Sequence, residues 1–367
     1  MSKATSGRVR IVTAMTSAII LSACSTDTAM RDEGTQRPVP HRTINYKLET
    51  VRTMGWESLS DSAGPLSAFD RRFSGGVLGA PVSAVMDDAG NTYVLDASFQ
   101  KVSVFGPDGK FKANIAGGFG EGPGEYKRVS AMSLSGGHLH ILDRGNNRVT
   151  ILTTAGKVQR EFSLSGGLPS QIAARGDSIF IVMERAGSAY PFVQVFNRLG
   201  ERTDSLVRLT GQAADLASNG GLPIFGFRPS GDVLLALPTP TMWVEFSTRE
   251  QRGTNFFPEA AGYLRKMAGM EVTDVPVRPK AIVGMAGGLT AVFYVEREGG
   301  QTQGKVKDNG FIDVYNANGV YSGSAEVDAY GFDTMKPTPT GNEILLTSGY
   351  NARYPMVMVS RLTKLSE

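Results

Sequence analysis

One cysteine, Cys24, serves the whole 367-residue chain. No disulfide can therefore staple the fold from within, and no cysteine cluster can hold a metal. Histidine is nearly as scarce, with His41, His138 and His140 the only three. A catalytic zinc site wants three protein ligands and an open position, and triad chemistry wants a histidine beside a serine and a carboxylate. Neither pattern is present in the spacing. A long apolar run is missing at the start as well: the stretch from Ile11 to Leu21 is too short to cross a hydrocarbon core about 30 Å thick as a helix. Charge of one sign is the last absence. Setting aside Lys3, Arg8 and Arg10 from 38 cationic residues leaves 35, matched by 35 acidic ones, because the first 23 residues hold no acid. A balanced chain lacks the cationic excess of nucleic-acid binders, so no nucleic-acid partner is expected. Stability must come from burial, and a chain this long can bury a large core.

The first residues carry an address. Lys3, Arg8 and Arg10 precede the apolar run, which ends in Leu21-Ser22-Ala23-Cys24. A basic start, a short apolar middle and small residues before a cut site describe a secretory signal. The ending resembles the lipobox of bacterial lipoproteins, and that resemblance implies cleavage before Cys24 and its lipidation. The acyl chains would then anchor the protein to the membrane, since stable anchoring needs about two membrane signals. Ser25, with no Asp at that place, resembles the outer-membrane sorting pattern of Gram-negative lipoproteins. Residues 25–43 are polar, with Pro38 and Pro40 and no apolar period, which describes a flexible tether. The expected limits are a signal at 1–23, a tether at 24–43 and a globular head at 44–367.

The head is organised on a repeat. Gly90, Gly137, Gly176, Gly231, Gly288 and Gly341 each open a tight turn that leads into an apolar strand, as in Ala89-Gly-Asn-Thr-Tyr-Val-Leu-Asp96 and Gly136-Gly-His-Leu-His-Ile-Leu-Asp143. Glycine tolerates the positive φ such turns use, and a neighbouring Asn or Asp can bond the local backbone. The six glycines are 47, 39, 55, 57 and 53 residues apart, spacings that suit propeller blades with loop insertions. A second alternating strand follows each, such as Lys101–Phe105, Arg148–Leu152 and Phe311–Tyr315, then a turn rich in Asn, Asp and Gly, then a more polar outer strand. A strand of small residues precedes each glycine, as in Val82–Val85 and Ala281–Gly284. The fold class is all-β: a six-bladed β-propeller of four-stranded antiparallel blades.

The sixth unit is one strand short. After the strand Met356–Ser360 come only a turn, Arg361–Lys364, and three residues. Tyr46–Thr53, ahead of the first unit, alternates like an outer strand and has no unit of its own. An unpaired edge invites aggregation, so the N-terminal strand is expected to complete the last blade by pairing with 355–361.

Val94–Phe105 and Ile141–Leu152 resemble NHL repeats, and Gly120-Glu-Gly-Pro-Gly-Glu-Tyr126 is similar to the link between early blades of bacterial six-bladed β-propeller lipoproteins. The match is good over the first two units and weak over the third to fifth. The resemblance implies the fold and a cell-envelope address more than an activity. Asp96 and Asp143 occupy corresponding strand ends, where an aspartate caps the following turn; a metal role there is the other reading. Gly117–Gly124 lacks the Lys-Ser/Thr ending and following helix of a phosphate loop, which leaves it as a connection between blades.

Propeller hydrolases of the lactonase type ring a divalent ion with Glu, Asn and Asp. The inner strands here supply Asp333 almost alone, so neither a metal nor a cofactor is expected. Counting back ten residues from each turn glycine puts Lys127 and Arg278 at the starts of inner strands, near the mouth of the central channel, with Arg128 and Lys280 close by. Longer loops at 55–79, 117–127, 210–221 and 258–277 lengthen that face, the last with a short helix expected at Glu259–Met267. Long insertions on one face often carry binding. Two functions follow: a lipid-anchored, non-catalytic envelope module binding a protein, peptide or glycan, with an anionic ligand at Lys127, Arg128, Arg278 and Lys280; or a metal-dependent propeller hydrolase or lyase centred on the channel. Ordinary solvated cations would explain the same four residues without a ligand.

Overall fold

The computed structural model describes residues 42–55, 76–184, 193–206, 224–228, 233–236, 242–247, 250–256, 277–298, 307–318, 320–327, 331–349 and 355–366. The signal, Cys24, most of the tether, the loops 210–221 and 258–276 and the helix expected at Glu259–Met267 lie outside them.

Among the described residues, twenty-four strands form six four-stranded antiparallel sheets. Blade 1 runs from the axis outward as β2 (Pro81–Met86), β3 (Thr92–Asp96), β4 (Lys101–Phe105) and β5 (Phe111–Gly117). Blade 2 holds β6 (Val129–Ser135), β7 (His138–Asp143), β8 (Arg148–Thr153) and β9 (Val158–Ser163). Blade 3 holds β10 (Leu168–Arg175), β11 (Ser178–Glu184), β12 (Val193–Phe196) and β13 (Arg202–Leu206). Blade 4 is β14 (Ile224–Phe227), β15 (Val233–Ala236), β16 (Met242–Ser247) and β17 (Glu250–Phe256). Blade 5 is β18 (Val277–Gly284), β19 (Thr290–Glu298), β20 (Lys307–Tyr315) and β21 (Tyr321–Val327). Blade 6 has β22 (Phe332–Pro337), β23 (Ile344–Ser348) and β24 (Val357–Lys364), completed on its outer edge by β1 (Tyr46–Met54).

The turn glycines take the conformation the repeat requires. Gly90, Gly137, Gly176, Gly288 and Gly341 all have φ between 55° and 80°, and the sixth, Gly231, lies outside the described residues. Hydrophobic cores form between neighbouring blades rather than within one. Leu95 and Val102 of blade 1 pack with Met132, Leu139 and Ile141 of blade 2, and Leu142 and Val149 of blade 2 pack with Ile172 and Ile181 of blade 3. Middle strands are thus covered on both faces, and β3 and β4 are buried at every position.

Closure follows the expected route. β1 pairs antiparallel with β24 from Tyr46↔Lys364 to Met54↔Val357, with an irregularity between Thr50 and Arg52. Arg361–Lys364, expected as a turn, instead continues β24, because β1 offers it a partner. The ordered contacts begin before the expected head boundary. The Thr43 carbonyl accepts from Ser324 N of β21 at 2.8 Å, and Ile44 bridges Ser324. Arg42 then lies in a pocket of blade 5. Its Nε donates to Asp313 Oδ1 at 2.8 Å, and the guanidinium stands 4.6 Å from the Phe311 ring centroid and 5.5 Å from that of Tyr294. Ser324 Oγ donates to the same carboxylate oxygen at 2.6 Å. The Asp313 side chain has no exposed surface and that of Arg42 only 6%.

Removing one partner of a buried pair leaves the other charged and unpaired, which costs roughly 3–5 kcal/mol. Arg42→Ala is expected to lower unfolding stability by about that much, and the double change Arg42→Met with Asp313→Leu to recover most of it. Urea denaturation of the three chains checks both.

Candidate functional site

In a propeller each innermost strand has one edge with no strand beside it, so its backbone N–H and C=O groups face the axis and need other partners. Here they meet across a channel of about 880 Å³, lined by residues from all six innermost strands. Side chains stitch its wall from blade to blade. Ser83 Oγ donates to Met132 O at 3.2 Å, and Ser133 Oγ accepts from Ala174 N at 2.9 Å. Arg175 Nη1 donates to Arg228 O at 3.4 Å, and Arg228 Nη1 to Gly288 O at 2.9 Å. Lys280 Nζ meets Asp333 Oδ1 at 3.0 Å, joining blades 5 and 6.

A shared bulge places the mouth residues. Pairing of the innermost strand with its neighbour slips between Pro81 and Ser83, Val129 and Ala131, Pro169 and Gln171, Pro279 and Ala281, and Phe332 and Thr334. The residue left unopposed is Val82, Ser130, Ser170, Lys280 or Asp333, and each lines the channel. Lys280 and Asp333 therefore stand at one level on adjacent blades, which is why they touch.

The four cations named from sequence are placed differently from one another. Lys280 lines the channel. Lys127, ahead of β6, is exposed and not among the residues that line the channel, with its ammonium on Glu121; that contact holds the Glu121 carboxyl below its ordinary pKa, first through the hydrogen bond and then through the charge. Arg128 is exposed beside it. Arg278 is the second residue of β18, opposite Val295, one residue deeper than the glycine count placed it. The channel also takes Arg144, Arg175, Arg228 and Lys336, which the sequence reading missed. Arg144 follows Asp143 directly, so its neighbourhood was visible; the other three depend on register.

Asp96 and Asp143 cap as expected and do more. The wholly buried Asp143 accepts from Gly145 N and Asn146 N in its own turn and from Lys127 N and Arg128 N ahead of β6. Asp96 does the same for Ser98, Phe99, Gly79 and Ala80. Each aspartate thus ties the start of the innermost strand to the second turn, fixing the rim. The glycine-rich connection is held as firmly. Arg148 donates to the carbonyls of Glu121, Gly122 and Glu125, and Tyr126 is completely buried. Gly117 has φ 139°, and a Cβ there would lie 2.4 Å from Gln100 O. Among the described residues no group of three His, Cys, Asp or Glu is placed to hold a metal ion.

Residues 77–167 match the model of a family described as 6-bladed beta-propeller. Solved structures extend the likeness over most of the chain. A member of the duf4221 family from Bacteroides vulgatus is 9% identical, with 87% of this chain and 98% of that one covered at a TM-score of 0.56. A Bacteroides fragilis protein labelled a candidate exported protein is 11% identical, over 88% and 96%, at 0.53. Virginiamycin B lyase from Staphylococcus aureus is 10% identical, over 87% and 100%, at 0.49. Likeness at this distance speaks to the fold alone. Comparison with curated proteins finds no match.

His140 is the buried polar group that the repeat does not explain. On β7 it pairs with Ser133 of β6, at the register position that holds Tyr93, Phe180, Ala291 and Leu345 in other blades. Its side chain is 1% exposed, and among the described residues neither ring nitrogen has a hydrogen-bond partner. Burial, with His138 on the same strand, pushes its pKa down to about 4. An unfolded histidine takes its proton near pH 6.5, so the unfolded state gains protons first as pH falls. Stability is therefore expected to drop between about pH 7 and pH 4 and then level, by on the order of 3 kcal/mol for this group. His140→Leu should flatten that part of the profile. Urea midpoints of both chains at pH 7 and pH 4.5 test this, and parallel losses would contradict it.

Proposed function

We propose that this protein is a lipid-anchored module of the cell envelope, held through Cys24 at the outer membrane, that binds an anionic peptide or glycan at one propeller face without catalysis. The observation that carries the reading is the charge of the channel and its rim. Lys280, Lys336, Arg144, Arg175 and Arg228 line the cavity against Asp87, Asp88 and Asp333, and Lys127 and Arg128 are exposed ahead of β6. A low-dielectric cleft with an excess of one sign concentrates ligands of the other. The wall is closed by hydrogen bonds between blades, so the site is preformed and little ordering is needed on binding. The basic start, the lipobox-like Leu21-Ser22-Ala23-Cys24 and Ser25 support the address.

The test is binding of anionic and neutral envelope oligosaccharides and peptides to the chain and to Lys127→Glu/Arg278→Glu. The double reversal is expected to weaken the anionic ligands by about tenfold, roughly 1.4 kcal/mol, and to leave neutral ones unchanged. Equal binding by both chains would overturn the rim as the site. Elemental analysis of the purified protein separates the other class: a stoichiometric divalent ion would favour a metal-dependent hydrolase or lyase.

A further inference from the structure

One amine in the channel is set apart from the rim. Lys336, on the innermost strand of blade 6, donates from Nζ to Met132 O on the innermost strand of blade 2, at 2.6 Å. Blade 1 lies between those two, so the side chain reaches past it along the cavity wall. Ser83 Oγ of blade 1 donates to the same carbonyl. The position three residues beyond the bulged one holds Val85, Ser133, Ala173 and Val283 in four other blades. None is charged, so Lys336 is not a feature of the repeat.

Two facts make this amine a recognition group. First, no carboxylate among the described residues pairs with it. Asp333 is engaged by Lys280, Asp87 accepts from Asn91 and Tyr93, and Asp88 lies with Asp87 beyond the end of β2. The other charges lining the channel are Arg144, Arg175 and Arg228, and His140 stands behind Ser133 on blade 2. Second, an ammonium has three donors, and this one has a single acceptor, Met132 O, among the described residues. A cationic donor with unfilled N–H directions beside a cavity is the complement of an oxyanion.

We infer that Lys336 anchors the carboxylate of an end group that enters the channel, such as a peptide C-terminus or a uronic acid. The inference rests on the channel being the binding site and adds the depth and chemistry of the contact. A carboxylate would take the free donors of Lys336, with the Ser83 hydroxyl close enough to turn towards it, and would bring the missing counter-charge. Burial alone lowers the Lys336 pKa to about 8, so binding an anion is coupled to keeping the proton. Affinity should be steady below pH 8 and fall about tenfold per unit above it.

The experiment uses the mature chain with two carboxylate probes, N-acetylglycine and glucuronate, and their neutral counterparts, N-acetylglycinamide and glucose. Titration calorimetry is expected to show binding of at least one carboxylate and neither neutral partner, at least about tenfold weaker binding to Lys336→Met, and weakening from pH 7 to pH 9. Which carboxylate binds decides between peptide and sugar. In the unaltered chain the probe should shift the Lys336 Nζ resonance and raise its titration midpoint, which needs no variant to fold. If Lys336→Met binds like the parent while Lys127→Glu/Arg278→Glu does not, the inference is overturned and the rim reading stands. If the Lys336 resonance is unmoved by either probe at millimolar concentration, the inference is overturned. If carboxylates and their neutral counterparts bind alike, both readings fall.

Discussion

The pairing of β1 with β24 is the constraint on which the architecture depends. The last blade has three strands from its own stretch of chain, where every other blade has four. The N-terminal strand supplies the fourth, bonding β24 through the backbone and joining the two ends of the head. Arg42 and Thr43, just ahead of β1, extend the contact to blade 5, so the closing segment touches two blades. The buried Arg42–Asp313 pair gives that segment one position. A carboxylate with no exposed surface is costly to leave unpaired, so blade 5 is incomplete until the N-terminus arrives.

Strand edges also govern the axis. Six innermost strands turn one row of backbone groups towards the centre, where no further strand can come. Serine hydroxyls and Lys336 meet several of those groups, Arg175 and Arg228 reach carbonyls just past the strand ends, and each such bond joins one blade to another. The channel is therefore polar because of how the sheet ends there. Its cationic excess is an addition to that necessity, and it is the part that bears on a ligand.

Local chemistry made the ring legible. Glycine turns, alternating strands and an unmatched strand at each end are read from neighbouring residues, and they carry the blade count and the closure. Asp143 was legible as a turn cap because Gly145 and Asn146 are next to it, whereas its bonds to Lys127 and Arg128, ahead of β6, depend on the pairing of β6 with β7. Arg42 looked like tether, since nothing nearby announces Asp313, 271 positions on. Lys336 was silent for the same reason. In Thr334-Met-Lys-Pro-Thr338 it reads as an exposed lysine, and only the curvature of the ring brings it to Met132. The count from the turn glycines placed Lys127 and Arg278 in one column, but the turn between β6 and β7 is shorter than that between β18 and β19, so Arg278 stands level with Arg128 instead.

Hydrogen exchange across a urea series tests the closing strand most directly. If β1 completes the ring, its amides and those of β24 open only with the whole head, with the opening free energy and urea dependence of β7. Should β1 amides exchange through a low-energy opening with little urea dependence while β7 stays protected, the ring would stand without its closing strand and the account would fail.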